Sequence, residues 1–382
     1  MDNMYEYALT LLKQMVAVNT CNPPGQEAAL AIFLAKELKQ FGLESTVEWI
    51  STGRANVVSR IQGKYAGPTL ALTGHLDTVP AGHAWNSDPF CQTDKGDGKV
   101  YGRGVCDMKG GIAAQIAAVR RLVQQKAELH GDILLCYVAD EEATSLGLRH
   151  FFDAGGKADY AVIGEPTQMD VNICHKGVSR MLLTIHGKGG HAARPAETLN
   201  PISKIRYLLE AIANIQAKLN RTSHPLLGSA TISVTMVHAG DKGNVIPSQC
   251  NCKIDRRLLP GECVVQAEAE LAEELERIGG QDPEFSFDLH TYLNTAAGEV
   301  SEKSPLVKAA LDAIGEVRGD RREAYAFSGC CEQTLWQKAG TQAIVLGPGS
   351  LAQAHMPDEY LEKEQLFLAV DCYEKLIKKL LH

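Results

Sequence analysis

The feature that most constrains the fold is a repeated alternation between apolar runs typical of buried strands and stretches with helical periodicity. The run Asp132–Ala139 predicts a buried strand, and Met108–Gln125 predicts a helix before it. A helix at about 146–154 is followed by another short buried strand at 159–166. This alternation indicates an α/β sheet with helices on both faces.

The middle of the chain follows a different pattern. Ser179–Gly187 alternates polar and apolar residues as a half-buried strand does, and the segments up to about residue 290 follow the order β-α-β-β-α-β. We therefore predict an inserted ferredoxin-like α+β domain over residues 178–290. The flanking residues 1–177 and 291–382 are predicted to form one discontinuous α/β domain, a mixed sheet flanked by helices.

Composition narrows the class of partner. The 382 residues carry a net charge of −8, whereas a protein that binds nucleic acid or an anionic membrane needs a basic surface. The N-terminal residues lack the basic and apolar segments of a signal peptide, and no apolar run approaches the roughly 20 residues that span a bilayer. We therefore expect a cytoplasmic protein that binds neither nucleic acid nor membranes.

Cysteine usage agrees with that expectation. The eleven cysteines include no Cys-x-x-Cys pair, and many sit inside apolar runs, which is typical of reduced thiols. The neighbouring Cys330 and Cys331 fit buried small hydrophobes better than a redox or nucleophilic site.

Polar side chains cluster just after several predicted strands. They are His75 with Asp77, Asp107, Glu141 with Glu142, Glu165, and His355, which comes eight residues after a strand that ends at Gly347. In an open α/β sheet the ligand site lies outside the carboxyl ends of the strands, so these side chains are expected to converge there. Taken singly, His75 could be a hydrogen-bonded loop residue, Asp107 a helix N-cap, and Glu165 a turn residue.

Taken together, these side chains predict a metal site. Several converging carboxylates and two imidazoles would repel strongly unless a cation neutralised them. Imidazole and carboxylate ligands without thiolates suit Zn²⁺, Co²⁺ or Mn²⁺. Five ligands are too many for one catalytic zinc ion, but they suit two ions about 3.5–4 Å apart that share one carboxylate.

The sequence lacks the motifs of several other kinds of site. The segment "GRGVCD" begins like the dinucleotide fingerprint Gly-x-Gly-x-x-Gly, but Asp107 stands where the third glycine is required. The sequence contains no P-loop and no Gly-x-Ser-x-Gly elbow.

Five segments together resemble one known family. "GHLDTVP", "YGRGVCDMKGG", "ADEEATSLG", "VIGEPT" and "HMPDEY" are similar, in order and spacing, to the co-catalytic metallopeptidase and deacylase family. That family includes acetylornithine deacetylase, succinyl-diaminopimelate desuccinylase, the glutamate-releasing carboxypeptidases and aminoacylase. The resemblance covers almost the whole chain, and "CHKGVSR" and "LGPGSLAQAHMPDEYLE" resemble the acetylornithine deacetylase branch most closely.

The resemblance implies a metal-binding role for five of the polar residues. His75 and Glu165 would hold one metal ion, Glu142 and His355 would hold the other, and Asp107 would bridge the two. The cofactors would be two divalent ions per chain, Zn²⁺ in the first place, with Co²⁺ or Mn²⁺ as alternatives.

Three further residues have catalytic roles by the same resemblance. Asp77 would orient the imidazole of His75. Glu141 would be the general base that takes a proton from water and delivers it to the leaving amine. The inserted domain would be a lid and dimerisation domain in a homodimer, and its His191 would steady the oxyanion in the partner subunit's active site. Taken alone, His191 could equally cap a loop.

The resemblance also implies residues that contact the substrate. Asn244 and Arg257 match positions that bind the substrate or its carboxylate, for which an arginine is well suited. Taken alone, Asn244 could fill a turn and Arg257 could be an edge-strand surface residue. Glu332 in "SGCCEQ" stands where acetylornithine deacetylases carry a glutamate, and it favours a substrate with a cationic side chain. The chain departs from many relatives at Ala192, where they have serine.

These observations favour a dinuclear metal-dependent amidohydrolase that removes a short acyl group from the α-nitrogen of an amino acid. Nα-acetylornithine is the best single candidate for the substrate. The alternatives within the enzyme class are a desuccinylase, a broad aminoacylase and a dipeptidase. A metal-free binding protein on the same fold is the alternative outside that class, but such a protein has no need of a base such as Glu141 beside a ligand.

Overall fold

The computed structural model describes residues 3–382 and divides them into two compact units. The first unit runs from the N-terminal helix to Ile173 and resumes from Val300 to His382, and the second spans Cys174–Glu299. The predicted fold class, an α/β unit with a mixed sheet and an inserted ferredoxin-like α+β unit, is confirmed. The limits of 178–290 and the lid and dimerisation roles stay predictions.

Most α-helices within residues 3–382 have one buried face, whereas the helix at Lys109–Gln124 is buried on almost every side. The α-helices of these residues are α1 (Asn3–Val16), α2 (Glu27–Gln40), α3 (Lys109–Gln124), α4 (Leu146–Asp153), α5 (Pro201–Leu219), α6 (Val264–Gly279), α7 (Pro305–Arg318), α8 (Gln333–Lys338) and α9 (Lys363–Leu380). Among these described residues, no helix combines the length and the apolarity that crossing a membrane requires.

The strands of residues 3–382 form two larger sheets and two small ones. They are β1 (Thr46–Ser51), β2 (Arg54–Ile61), β3 (Tyr65–His75), β4 (Thr93–Asp94), β5 (Lys99–Tyr101), β6 (His130–Val138), β7 (Tyr160–Ile163), β8 (Val171–His175), β9 (Gly177–His186), β10 (Gly190–His191), β11 (Thr231–His238), β12 (Val245–Ile246), β13 (Gln249–Leu258), β14 (Phe287–Thr295), β15 (Gly298–Glu299), β16 (Ala324–Phe327), β17 (Gln342–Val345) and β18 (Tyr360–Glu362).

The sheet of the first unit is parallel at its centre. Its strands follow the order β1-β2-β6-β3-β7-β17-β8, and the neighbours β6, β3, β7 and β17 all run in the same direction. The flanking pairs are antiparallel. Parallel strands are buried on both faces, which explains the apolar run that forms β6. The four parallel strands therefore end at the same edge of the sheet.

Side chains from both faces of this sheet are buried by helices. On one face, Val138 of β6 belongs to the same apolar cluster as Phe151 of α4 and Trp336 of α8. On the other face, α3 packs on β3, and α1 and α9 pack on α3. Helix α3 is buried along almost its whole length, which explains its many glycines and alanines, since small residues allow close packing on every side.

The second unit is a two-layer α+β structure. Its sheet has the order β11-β13-β9-β14 with antiparallel pairs throughout, and α5 and α6 pack on it. Alternate residues of β9, Met181, Leu183 and Ile185, belong to the apolar core of this unit. This period of two is the pattern that the sequence shows over the same segment.

Several short elements were not predicted from the sequence. They are β4, β5, β8, β10, β12, β15, β16, β18 and α8. Strands of two or three residues are too short to show a period, and their partners lie far away in the chain, as where Tyr360 of β18 pairs with Tyr101 of β5. Only tertiary pairing defines such elements.

Candidate metal centre

The candidate site lies at the carboxyl ends of the four parallel strands. His75 is the last residue of β3 and pairs with Val138, the last residue of β6. Because β6, β7 and β17 end at the same edge, the loops that follow them begin side by side. These loops carry the predicted residues Glu141, Glu142, Glu165 and His355, and Asp107 comes just before α3.

Asp107 lies between the two imidazoles. Its Oδ1 is 3.1 Å from Nε2 of His75, and its Oδ2 is 3.2 Å from Nε2 of His355. Glu165 Oε1 lies 3.5 Å from the same nitrogen of His75, and Glu142 Oε1 lies 3.1 Å from that of His355. The five predicted ligands are thus brought together, with Asp107 in the middle.

Ligand atoms of the cluster, with Glu141 included, also lie close enough together to share a metal ion. One atom each from His75, Asp107 and Glu142 lie within 4.8 Å of one another, and so do atoms from His75, Glu141 and Glu165. Asp107 is not the N-cap of α3, because Met108 takes that position. The ordinary structural explanation of Asp107 as a cap therefore fails.

The carboxylates strongly favour the charged form of both histidines. Burial lowers the pKa of His75, but the charges of Glu165 and Asp107 outweigh it and raise that pKa well above its usual value. Hydrogen bonds to Asp107 and Glu142 raise the pKa of His355 to about 10. The site therefore attracts positive charge at both imidazoles.

The surroundings shift the pKa values of the acidic side chains in opposite directions. Burial raises the pKa of Asp107, but hydrogen bonds from His355 and His75 outweigh it and hold the pKa of this carboxyl well below its usual range. Burial, together with the negative charge of Asp107, raises the pKa of Glu165 well above its usual value. The pKa of Glu141 is also raised, by burial first and by the neighbouring acids Glu142 and Glu332.

This donor set fits divalent cations. It consists of imidazole nitrogens and carboxylate oxygens, which Zn²⁺, Co²⁺ and Mn²⁺ accept. The carboxylates around the two imidazoles stabilise positive charge within the cluster, and a metal ion would supply that charge. Asp107 contacts His75, which lies beside Glu165, and also His355, which lies beside Glu142, so the donor set offers ligands for two ions.

The carboxylate of Asp77 contacts the Glu141–Glu142 turn rather than the His75 ring. Nδ1 of His75 lies 2.9 Å from the backbone carbonyl of Asp77, whereas the Asp77 carboxylate is 3.7 Å away. That carboxylate accepts hydrogen bonds from the backbone N–H groups of Glu141 and Glu142 at 3.1 and 3.2 Å. The side chain predicted to orient His75 therefore holds the backbone of the two glutamates, and the ring is oriented by the carbonyl.

Asp140 and Asn22 complete the support of the same turn. Asp140 has a φ of 71°, and its side chain bonds with Arg54 and Thr144. Nδ2 of Asn22 donates to both Asp77, at 3.0 Å, and Asp140, at 2.9 Å. Nη2 of Arg54 donates to Oδ1 of Asn22 at 2.7 Å. Asn22 thus links the two aspartates behind the glutamates.

Glu332 is a buried carboxylate beside the cluster. Its side chain is 3% exposed, and within residues 3–382 its Oε1 has no hydrogen-bond partner. Burial raises the pKa of Glu332 to about 8, while the charges of His75 and Arg149 and a hydrogen bond from Ser145 oppose the shift. An acceptor of this kind is ready to bind a cationic or hydrogen-bonding group.

Three predicted site residues lie in the second unit. His191 is in β10, is exposed, and accepts a hydrogen bond at Nδ1 from the backbone N–H of Ala193. Asn244 is exposed in the loop before β12, and its backbone carbonyl accepts a hydrogen bond from the backbone N–H of Ala192. Arg257 pairs with Asp255 at 2.7 Å. Arg257 is not on an edge strand, because β13 lies between β11 and β9.

Sequence reasoning missed three residues that support the cluster, Asn22, Arg54 and Glu359. Asn22 reads as a turn residue before Pro23 and Pro24, and Arg54 reads as a surface residue on a strand. Glu359 lies within the "HMPDEY" segment that carries His355, which is the only signal that pointed near it. Hydrogen bonds between distant segments leave no period in a sequence, so the structure was needed to find them.

Comparison with known proteins adds independent information. The sequence model of the family described as "Peptidase family M20/M25/M40" matches residues 71–379 of this chain. The acetylornithine deacetylase of Aliivibrio fischeri is 30% identical over 352 residues, which cover 91% of this chain and 90% of that protein. The acetylornithine deacetylase of Photorhabdus laumondii is 32% identical over 344 residues, 87% of this chain and 86% of that protein.

One solved structure with the same fold is that of an aminopeptidase. The aminopeptidase PepT from Bacillus cereus superposes with a TM-score of 0.83 and covers 98% of both chains, at 19% sequence identity. At that identity the similarity supports the fold and leaves the substrate open.

Proposed function

Because the chain belongs to peptidase family M20/M25/M40 and is a metal-dependent hydrolase, we propose that it hydrolyses the amide bond of an Nα-acyl amino acid. The proposed substrate is Nα-acetylornithine, and the products are ornithine and acetate. The deacetylases at about 30% identity over nine-tenths of both chains support this choice. The observation that carries it is Oε1 of Glu332, a buried carboxylate oxygen beside the cluster that has no hydrogen-bond partner within residues 3–382.

We propose that the cluster holds two divalent ions, with Zn²⁺ as the first candidate. His75 and Glu165 would hold one ion and Glu142 and His355 the other, with Asp107 contributing to both. When bound, such ions lower the pKa of water and polarise an amide carbonyl. The support is the position of Asp107, whose two oxygens lie 3.1 and 3.2 Å from the two imidazole nitrogens.

Glu141 is proposed as the general base. A carboxylate oxygen of Glu141 takes a proton from the attacking water and later delivers it to the α-nitrogen as the C–N bond breaks. Its pKa is raised by burial and by neighbouring acids, which suits a group that must both accept and release a proton. Asp77 keeps this base in place through the backbone of the turn.

The second unit is proposed to serve as a lid and as the dimerisation domain of a homodimer. In this proposal His191 stabilises the oxyanion in the partner subunit's active site, and Asn244 and Arg257 bind the substrate, Arg257 through its carboxylate. The exposure of His191 and Asn244 supports a role in contacts with other groups.

Glu332 is proposed to recognise the side-chain ammonium of ornithine. An ammonium group beside Glu332 supplies the missing hydrogen-bond donor and lowers the pKa of this carboxyl, so the ion pair forms at neutral pH. A neutral side chain of the same length leaves the buried carboxylate unsatisfied, which costs about 1–3 kcal/mol or more.

The first test is metal content. We expect about two divalent ions per chain at saturation and loss of hydrolysis on treatment with a chelator. Adding Zn²⁺, Co²⁺ or Mn²⁺ singly to the metal-free protein then identifies the ion that restores the highest turnover. A chain that binds no metal and shows no metal-stimulated hydrolysis overturns the proposal.

The second test compares two matched substrates. Nα-acetylnorleucine replaces the ornithine ammonium by a methyl group, and we expect its kcat/KM to be about 10- to 100-fold lower than that of Nα-acetylornithine. Glu332→Gln should remove most of that difference. Equal kcat/KM values for the two substrates contradict the role of Glu332.

A peptidase is the second candidate function, because the family model that matches residues 71–379 is that of a peptidase family. The same assay decides between the two when dipeptides and N-succinyl-diaminopimelate are included beside the Nα-acetyl amino acids. Faster hydrolysis of dipeptides than of any Nα-acetyl amino acid rejects the deacetylase in favour of the peptidase.

A further inference from the structure

Glu359 is a buried carboxylate next to the metal centre that has no part in the ligand set. It is fully buried and lies four residues after His355, just before β18. A charged side chain is almost never fully buried unless it is well paired. Its partners therefore indicate what it does.

Each oxygen of Glu359 accepts two hydrogen bonds. Oε1 accepts from the backbone N–H groups of Cys106, at 2.8 Å, and Asp107, at 3.0 Å. Oε2 accepts from Nη1 of Arg103, at 2.7 Å, and from the backbone N–H of Gly104, at 3.0 Å. A carboxylate can accept all four of these hydrogen bonds, whereas a protonated carboxyl would turn one oxygen into a donor.

The partners of Glu359 belong to the loop that ends in Asp107. This loop departs from regular structure, since Gly104 has a φ of 82° and α3 begins only at Lys109. Cys106 and Asp107 are buried, so without Glu359 their N–H groups would be left unpaired. The backbone of Asp107 is thus held by a side chain from the segment that carries His355.

A role confined to fold stability does not account for this arrangement. One of the four bonds goes to Asp107 itself, whose side chain lies between the imidazoles of His75 and His355. Through Glu359, the Asp107 loop and the His355 loop are tied together by charge-assisted hydrogen bonds, which are about twice as strong as neutral ones. Glu359 therefore connects the backbone of Asp107 to the segment that carries His355.

We propose that Glu359 is a positioning residue that fixes the Asp107 carboxylate between the two ion-binding halves of the centre and thereby sets the affinity for both metal ions. This inference rests on the proposed metal centre. It predicts a distinct signature, because Asp107 faces both halves: loss of Glu359 weakens both binding steps together, whereas His355→Ala weakens one.

The test measures metal affinity rather than activity alone. Zn²⁺ and Co²⁺ dissociation constants of metal-free Glu359→Gln are determined by competition with a chelator, at a temperature where the protein is folded. We expect both steps to weaken about 10- to 100-fold, since an amide offers one acceptor oxygen where the carboxylate offered two. Glu362→Gln, three residues further along, is the matched control and should keep the wild-type affinity.

A second control separates positioning from general destabilisation. Ile314→Ala truncates a buried side chain on α7 and should lower Tm while leaving the metal affinity unchanged. If Glu359→Gln does not fold, Arg103→Gln removes one of the four donors and should weaken both steps by a smaller factor.

The outcomes distinguish this inference from the proposed function. If the wild-type protein binds metal and Glu359→Gln binds it equally well, the positioning role is wrong while the metal centre stands. If the destabilised control Ile314→Ala loses as much metal affinity as Glu359→Gln, the loss reflects general destabilisation and the inference is also overturned. If the wild type itself binds no metal, the proposed function fails first.

Discussion

Two neighbouring glutamates differ in their surroundings at the residue scale. Glu142 Oε1 lies 3.1 Å from Nε2 of His355. A carboxylate oxygen of Glu141 instead lies within 4.8 Å of ligand atoms of His75 and Glu165. Successive side chains in a turn point in different directions, so the two carboxylates reach different parts of the site. One can hold a metal ion while the other accepts a proton.

Glu141→Gln should retain the metal ions and lose turnover. The amide cannot accept a proton, and we expect kcat to fall about 10²- to 10⁴-fold with metal content near that of the wild type. Metal analysis and steady-state kinetics on the same sample test this. The control, Glu142→Gln, should instead lower metal content. A Glu141→Gln protein that loses metal but turns over normally when metal is added contradicts the assignment.

Asn22→Ala should destabilise the chain and slow catalysis. Its Nδ2 is shared by Asp77 and Asp140, so the variant leaves two buried carboxylates short of a donor, at about 1–3 kcal/mol. Because Asp77 holds the backbone of Glu141, we expect a lower kcat with little change in metal content. Asn19→Ala, on an exposed residue of the same segment, is the control for both urea unfolding and kinetics. Equal kcat values for Asn22→Ala and Asn19→Ala refute this role.

At the scale of elements, the first turn of α3 packs closely against the loop that carries Glu165. A Cβ atom added at Gly111 of α3 would lie 2.1 Å from the carbonyl oxygen of Gly164, the residue before Glu165. Backbone on both sides leaves no flexible side chain to yield. The first turn of α3 therefore approaches the end of β7 only because residue 111 is a glycine.

Gly111→Ala should therefore shift Glu165 and weaken metal binding. We expect a loss of stability of about 1–3 kcal/mol, as for other overpacked sites, together with a lower metal affinity. The control is Gly243→Ala, where an added Cβ meets nothing within 4 Å. Thermal unfolding with and without metal measures both effects. A Gly111→Ala protein as stable as Gly243→Ala is incompatible with this close approach.

The first turn of α2 contains a buried acid that makes stability depend on pH. Burial raises the pKa of Glu27 from 4.5 to about 7. A folded-state pKa above the unfolded one means that the protonated form stabilises the fold. That stability is fully present below pH 4.5 and is lost as pH rises through about 7.

Glu27→Gln should remove this pH dependence. We expect the variant and the wild type to unfold alike at about pH 5, and the variant to be more stable by about 2 kcal/mol at about pH 8. Urea titrations at the two pH values measure the difference. Glu6→Gln, on the exposed face of α1, should show no such change. A Glu27→Gln gain that is the same at both pH values rejects the role of ionisation.

The proposed action of His191 across a dimer is a property of the whole molecule. His191→Ala and Glu141→Gln are each expected to be inactive alone. Mixing them forms heterodimers in which one site has both groups if His191 acts in the partner. Random exchange should then restore about a quarter of wild-type activity. Sedimentation establishes the dimer beforehand. A mixture that stays inactive although subunits exchange shows that His191 does not act across subunits.

Local patterns made most of the larger elements predictable. The run Asp132–Ala139 became β6, the helical stretch at Met108–Gln125 became α3, and the β-α-β-β-α-β order became the second unit. The strands of two or three residues were missed, together with β8, β16 and helix α8, and most of the strands among them are stabilised by partners far away in the chain. The alternative explanation of Arg257 as an edge-strand surface residue fails, because strand order, which no local period encodes, places β13 inside its sheet.

By itself, the sequence determined which residue types follow the strands, because hydrophobic periodicity and the residues that interrupt it are local properties of the chain. It thereby located the imidazoles and carboxylates of the centre before any contact was known. Only the tertiary structure decided which backbone each buried acid holds: Asn22 bonds Asp77 55 residues away, and Glu359 bonds the N–H of Asp107 252 residues away. Such bonds form only once parallel strand ends meet at one edge, and no local pattern records which ends will meet.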